Sequence, residues 1–241
     1  DGSLLKPEVL VGQAKRMLKD PRASALADEF AGQWLKFNGF AKEDGVNVEK
    51  YPEMTPAIRK DMHREAVEFF THLFREDRKV SDVVIGETTF LNERLAKFYG
   101  VSDVKGEKFR EVKVAGQQRG GLLGMGAVLT GTSRPDRTSP VLRGEYLYAV
   151  VLGNHSPPPP ANVPELDENA VKPASLREAL MQHRADKACS VCHDRIDPLG
   201  FALESYDPIG QLRTAEGGGE IDDTGALKDG TVLNGMAGLR K

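Results

Sequence analysis

The two cysteines of this 241-residue chain stand three positions apart and are followed directly by a histidine, in the segment Cys189-Ser190-Val191-Cys192-His193. This C-x-x-C-H spacing is the attachment pattern of a c-type haem. Thiols one helical turn apart can each form a thioether with one haem vinyl group, and the adjacent imidazole reaches the iron from the same side. The motif therefore predicts one covalently attached haem c, with Cys189 and Cys192 as anchors and His193 as the proximal iron ligand.

Three other roles for the cysteine pair stay open at this point. A thioredoxin-like redox pair starts a helix directly after a buried strand, whereas the residues from Ser175 to Lys187 have the pattern of a polar helix. A structural zinc site needs four ligands in spaced pairs, and only His183 and His155 are otherwise nearby in the chain. A plain disulfide between the two cysteines would leave His193 without a role.

Composition places the chain among globular proteins that bury a core without disulfides. Its hydrophobic fraction is 39% and its charged fraction 29%, and no apolar run approaches the roughly 20 residues that cross a bilayer. The net charge of -3 comes from interspersed acidic and basic residues, so we expect no nucleic-acid partner and no transmembrane segment. The chain starts at Asp1 without methionine and stops at Lys241, so we expect it to be part of a longer polypeptide or complex.

Amphipathic patterns predict a mostly α-helical first part. A first helix begins at Pro7, and a third helix runs from Pro56 to Arg75 with one apolar face inward. The segment from Thr89 to Tyr99 predicts a shorter helix ended by Gly100, and the segment from Phe109 to Val114 predicts a short strand. Between the first and the third helix, a second helix carries an apolar stripe that we expect to pack against the first helix. Its residues are Leu26, Phe30, Trp34 and Phe37.

Four consecutive prolines, Pro157 to Pro160, can form neither a helix nor a central strand and favour an extended segment. We therefore divide the chain into a helical domain at residues 1–153, a proline-rich linker at 154–174 and a haem c-binding domain at 175–241. The predicted fold class is mostly α, with the helical domain followed by a small c-type cytochrome-like domain.

A haem also needs a partner for its histidine, apolar walls and a place for two propionates. A backbone carbonyl near Pro198 could accept the Nδ1 proton of His193 and fix the ring. The residues best placed to wall the porphyrin, which could equally be ordinary core, are Ile196, Leu199, Phe201 and Leu203. Arginines positioned for the propionates, which could equally be surface residues, are Arg184, Arg195 and Arg213.

The sixth iron ligand decides whether the haem passes electrons or performs chemistry. His183 is the first candidate, because it lies one helical segment before the motif and could reach the distal face; a helix-surface position is the alternative. Met236 is the second candidate, since methionine after the motif is a common partner in small cytochromes c, but it falls in a glycine-rich stretch without helical support.

Several further segments have a recognisable pattern: Pro7-Glu8-Val9-Leu10, Gln33-Trp34-Leu35, the runs 89–96 and 119–123, Arg137-Thr138-Ser139-Pro140, His183-Arg184 and the run 197–204. Together with the C-x-x-C-H motif they resemble the planctomycete-type cytochrome c proteins, a bacterial family in which domains of unknown function flank a C-x-x-C-H haem segment. The resemblance covers nearly the whole chain and includes the proline run and a histidine at position 183. It implies a haem protein with further domains outside this chain.

These observations predict a c-type cytochrome that performs one-electron transfer with a redox partner protein, so no residue is assigned a catalytic role. One alternative is a haem-dependent oxidoreductase or peroxidase-like enzyme with an open distal site, for which Arg137 or His155 could act over the iron. Another is an interaction module of a larger exported redox protein. Because covalent haem attachment takes place outside the cytoplasmic membrane, we expect a periplasmic or otherwise exported bacterial protein.

Overall fold

The structure is a computed structural model that describes residues 2–42, 45–114, 116, 118–155, 176–183, 187–216 and 219–241. Helices account for most of its regular structure, which confirms the predicted mostly α-helical class. Within the described residues, the strands are two to four residues long and pair antiparallel in three two-stranded ribbons. Among the same residues, none of the helices combines the length and the apolar character that crossing a membrane requires.

The helices and strands of the described residues follow in chain order. The α-helices are α1 (Pro7–Lys19), α2 (Gly32–Trp34), α3 (Pro56–Arg75), α4 (Asp82–Ile85), α5 (Glu93–Tyr99), α6 (Gly126–Gly131), α7 (Pro140–Glu145), α8 (Leu176–His183), α9 (Lys187–Phe201) and α10 (Gly235–Leu239). Two segments, Leu26–Ala31 and Tyr146–Val151, are π-helical. The strands are β1 (Thr88–Leu91), β2 (Arg110–Lys113), β3 (Ala215–Glu216), β4 (Gly219–Glu220), β5 (Thr224–Ala226) and β6 (Val232–Asn234).

The chain forms two compact units. The first consists of Asp1–Asp44 and Thr55–Val128, and the second of Gly45–Met54 and Leu129–Lys241. Apart from its first two positions, the linker predicted at 154–174 lies outside the described residues, so the predicted domain boundaries stay a prediction. The unit that contains the C-x-x-C-H helix also contains α7, which precedes the proline run.

Helix α3 forms the core of the first unit and has the predicted bounds. Its N-terminus is capped by Thr55, whose hydroxyl accepts a hydrogen bond from the N–H of Ile58 at 3.2 Å. Pro56 occupies the first turn, where a backbone N–H has no acceptor within the helix, so the N–H that proline lacks costs no hydrogen bond. The predicted inward face is confirmed, because every member of it is buried: Ile58, Met62, Ala66, Phe69, Phe70 and Leu73.

The segment predicted as one helix from Thr89 to Tyr99 is divided in the structure. Its first residues belong to β1, which pairs with β2, and α5 begins only at Glu93. Asn92 separates the two elements, because its side-chain oxygen accepts a hydrogen bond from the N–H of Leu95 at 2.8 Å and so caps the helix. Gly100 ends α5 in the left-handed conformation with φ of 72°, as predicted.

The apolar stripe predicted to pack against α1 is largely exposed, so this prediction is wrong. Leu26, Phe30 and Trp34 are 43%, 54% and 48% exposed, and only Phe37 is buried. The alanines of the π-helical segment Leu26–Ala31 form its buried face instead, since Ala27 and Ala31 are both 0% exposed. Phe30 and Trp34 lie side by side on the exposed face, with their ring centres 5.9 Å apart. Helix α1 has no buried residue either, and its Leu10, Val11 and Met17 are 54%, 50% and 60% exposed.

A buried carboxyl lies at the polar centre of the first unit. Glu65 on α3 is 1% exposed and accepts hydrogen bonds from the hydroxyls of Thr89 and Tyr99, the latter at 2.6 Å. The guanidinium of Arg119 lies 3.8 Å from the centre of the Tyr99 ring. Burial raises the pKa of Glu65 to about 7, and the two hydroxyl hydrogen bonds only partly oppose this. The folded chain therefore keeps a proton on Glu65 that the unfolded chain releases at lower pH.

We expect Glu65 to lower the free energy of unfolding as the pH rises. Between its ordinary pKa of 4.5 and its folded pKa of about 7, only the folded chain binds the proton, so stability falls across this window by about 3 kcal/mol. Glu65→Gln removes this fall, because an amide does not titrate. Urea unfolding of both proteins at a series of pH values measures the difference, and parallel pH profiles would contradict the prediction.

Candidate functional site

Helix α9 carries the C-x-x-C-H motif and lies against its neighbours at distances that only glycine permits. A Cβ built on Gly200 would overlap the carbonyl oxygen of Pro140 at the start of α7. One built on Gly144, also in α7, would overlap the backbone of α9. On β5, Gly225 lies equally close to the carbonyl oxygen of Pro198. Direct backbone contacts with two elements therefore hold α9 in position.

Cys189, Cys192 and His193 share one face of α9, because residues three and four positions apart are neighbours on a helix. All three side chains are partly exposed, and both thiols are free. Two thiols and an imidazole on one accessible face are the donor set that a c-type haem requires. The residues present therefore fit the predicted group.

The alternative roles of the cysteine pair receive less support. The two thiols do not form a disulfide. Within the part of the chain that the structure describes, no group of three or more His, Cys, Asp or Glu side chains could hold a metal ion. The segment described before α9 is the helix α8 rather than a buried strand, whereas a thioredoxin-like pair follows a strand.

The imidazole of His193 is held by a carboxylate. Its Nδ1 lies 2.9 and 3.1 Å from the two carboxylate oxygens of Asp197, one turn further along α9. Because an ionised carboxylate only accepts hydrogen bonds, this contact favours the tautomer with the proton on Nδ1, which leaves Nε2 as the nitrogen that could bind iron. The acceptor is thus the side chain of Asp197, not the predicted backbone carbonyl near Pro198.

The apolar residues predicted to wall the haem lie in the core of the second unit. Pro198 is buried inside α9 as well. The guanidinium of Arg177 lies 4.2 Å from the centre of the Phe201 ring and covers one of its faces. These side chains pack α9 into its unit, and their contact with a haem stays a prediction. Their exposed fractions are 5% for Ile196, 9% for Leu199, 2% for Phe201 and 2% for Leu203.

Arg213, predicted as a partner of the haem propionates, contacts a protein carboxylate, and its contact with a haem stays a prediction. Its Nη2 lies 2.9 Å from Oε2 of Glu204, and its Nε donates to the backbone carbonyl of the same residue at 3.0 Å. Nη1 of Arg195 lies 3.5 Å from the hydroxyl of Tyr148. Arg184 lies outside the described residues, so its predicted contact with the haem stays a prediction.

Glu204 is also the centre of a buried cluster that sequence reasoning missed. The fully buried side chain of Arg143 contacts Oε1 of Glu204 at 3.3 Å and donates to the carbonyls of Leu203 and Tyr206. The hydroxyl of Thr138 donates to Oε2 of Glu204 at 2.7 Å. Burial lowers the pKa of Arg143, and the charge of Glu204 opposes this. Since Arg143 and Glu204 are 61 positions apart, no spacing rule connects them, and the cluster fixes the chain directly after α9.

The candidate distal ligands remain predictions. His183 is the last residue of α8, and its side chain lies outside the described residues. Met236 is 2% exposed and belongs to the short helix α10, so the expectation that it lacks helical support is wrong. For the enzyme alternative, Arg137 donates to the carbonyl of Thr138 beside it, and His155 is exposed.

The fold and this site define a mostly helical chain of two compact units, of which the second carries the C-x-x-C-H helix. Residues 1–101 match the family described as protein of unknown function (DUF1592). Residues 119–216, which include the motif, match the family described as protein of unknown function (DUF1588). Both matched models describe domains that are also found in planctomycete cytochrome c family proteins.

A short part of the chain is similar to part of a curated enzyme. Phosphoribosylaminoimidazole-succinocarboxamide synthases of Bacteroides thetaiotaomicron and Bacteroides fragilis are 34% and 33% identical to this chain over 86 residues, which is 36% of this chain and 25% of theirs. The chain thus spans about a quarter of the length of these curated relatives. No solved structure matches the chain significantly.

Proposed function

We propose that this chain is a c-type cytochrome that binds one covalent haem c and transfers single electrons. The observation that carries the proposal is the placement of Cys189, Cys192 and His193 on one partly exposed face of α9, with free thiols and an imidazole oriented through Nδ1. The two matched domains, which occur in planctomycete cytochrome c family proteins, support it. Among the roles considered for the motif, haem attachment is the one that uses all three residues.

Three residues of the motif would hold the haem, each through a different bond. The thiols of Cys189 and Cys192 would anchor the two vinyl groups, and Nε2 of His193 would bind the iron. When bound, the haem supplies a one-electron couple between ferric and ferrous iron. His183 or Met236 would complete the coordination from the other side, and a closed coordination sphere is suited to electron transfer rather than to substrate binding.

We further propose a redox partner protein and a periplasmic or otherwise exported location in a bacterium. A single one-electron centre needs a donor and an acceptor outside the chain. Covalent attachment of haem takes place outside the cytoplasmic membrane, and this chemistry is the reason for the proposed location.

The visible absorption spectrum tests the proposed function. The chain is produced in cells able to attach haem, and spectra are recorded for the ferric protein and after reduction with dithionite. We expect a low-spin c-type spectrum and haem that stays on the protein after denaturation. The weak long-wavelength band of sulfur-ligated iron would assign Met236 as the distal ligand, and its absence would favour His183.

Two other outcomes would change the conclusion. A high-spin ferric spectrum with rapid binding of cyanide or carbon monoxide would mean an open iron position and would favour the haem-enzyme alternative. A protein without any haem spectrum would contradict the proposed haem attachment at Cys189, Cys192 and His193.

A further inference from the structure

We infer that Asp197 is a positioning residue that makes His193 a strongly electron-donating ligand and so stabilises the oxidised state of the proposed haem. This inference rests on the proposed function. It starts from a contact that no prediction required: both carboxylate oxygens of Asp197 lie within 3.1 Å of Nδ1 of His193. The Asp197 side chain is fully buried.

Burial distinguishes this contact from an ordinary ion pair on a helix surface. Arg64 and Glu68 on α3 also lie four positions apart, but their side chains are 63% and 30% exposed, so water screens their interaction. The corresponding values are 17% for His193 and 0% for Asp197. A carboxylate without solvent interacts more strongly with its hydrogen-bond donor, because the local dielectric constant is low.

The strength of this hydrogen bond determines the electron density on the ring. Hydrogen bonds to a carboxylate are roughly twice as strong as hydrogen bonds between neutral groups. As Asp197 draws the proton of Nδ1 toward itself, negative charge builds up on the imidazole and at Nε2. A more negative ligand stabilises ferric iron more than ferrous iron, because ferric iron carries the additional positive charge. The reduction potential is therefore lowered.

Close contacts fix the backbone that carries the Asp197 carboxylate. The next residue, Pro198, has its carbonyl oxygen against Gly225, and Gly200 lies directly against Pro140. Asp197 and His193 also belong to the same helix, which fixes their separation. The position of Asp197 relative to the His193 ring is thus built into the helix and does not depend on an attached haem.

The reduction potential of the haem-bearing Asp197→Asn variant tests the inference. Asparagine keeps the shape and one acceptor oxygen but removes the charge. At a fixed ambient potential we expect the ratio of ferrous to ferric protein to rise about tenfold, which is ~59 mV for a one-electron couple. Asp194→Asn is the matched control, because it removes the same charge from α9 at a carboxylate that lies 3.4 Å from the ammonium of Lys228. We expect the control to shift the ratio by less than about threefold, since the Asp194 side chain is 29% exposed and its charge is already paired with Lys228.

Equal shifts in the two variants, or no shift in Asp197→Asn, would overturn the role of Asp197 while leaving the haem assignment intact. A wild-type chain that attaches no haem would instead contradict the proposed function. Nitrogen NMR of the haem-free chain gives a second readout that does not require the variant to mature. We expect the His193 ring to carry its proton on Nδ1 in the wild-type chain, and a proton on Nε2 with a bare Nδ1 would overturn the inference.

Discussion

Replacing Cys189 and Cys192 together by serine is expected to abolish covalent haem attachment completely while the helical fold is kept. The chain contains two cysteines, so the double variant retains no thiol that could form a thioether. Both side chains are partly exposed, and serine has nearly the same shape, so little packing energy is lost. Haem staining of the denatured protein and the mass of the intact chain measure the loss, and circular dichroism measures the helical content.

Val191→Ser is the control for this experiment. Val191 lies between the two cysteines and is 53% exposed, so the change introduces the same residue into the same turn without touching a thiol. We expect this variant to keep its covalent haem. Haem that stays on the double cysteine variant after denaturation would disprove the thioether assignment.

Gly200→Ala is expected to destabilise the second unit by about 4 kcal/mol. The new methyl group would overlap the carbonyl oxygen of Pro140, which is a backbone atom and cannot rotate away as a side chain could. Helices α7 and α9 would have to separate, and the packing between them would be lost along their whole contact. A single substitution destabilises a protein this strongly only when the surrounding core cannot rearrange to relieve the overlap. Urea unfolding measures it, and amide hydrogen exchange along α9 assigns it to the second unit.

Gly131→Ala provides the comparison at a glycine without crowding. No atom lies within 4 Å of a Cβ built at this position, which is the last residue of α6. We expect a change of less than about 1 kcal/mol, because alanine is favoured over glycine in a helix by about that amount. A Gly200→Ala protein as stable as the Gly131→Ala protein would show that α7 and α9 do not cross at backbone contact.

Features of the fold that depend on neighbouring residues could be predicted from the sequence. Helix α3 has a cap at Thr55, a proline in its first turn and a regular apolar period, and its predicted bounds agree with the structure. The π-helical turn at Leu26–Ala31 has no such signature. In this segment the small side chains of Ala27 and Ala31 are buried and the larger apolar side chains are exposed, so the regular apolar period did not identify the face that packs.

The candidate site shows the same division between local and distant contacts. The three motif residues lie within one and a half turns, and their spacing alone places them on one face. Asp197 was also within reach of sequence reasoning, since a residue four positions after His193 is its neighbour on a helix. The contact between Arg143 and Glu204 was not, because it depends on how α7 packs against the turn that follows α9. Distal ligation by His183 is untested, because its side chain lies outside the described residues.

The glycine contacts of α9 also bear on how fast an electron could be exchanged. Gly144 and Gly200 join this helix to α7, and Gly225 joins it to β5, so the backbone that carries His193 has little room to shift. An electron moves quickly only when the atoms around the iron need to rearrange little between the two oxidation states. A haem attached to this helix would keep nearly the same surroundings in both states, and its reorganisation energy would be correspondingly small.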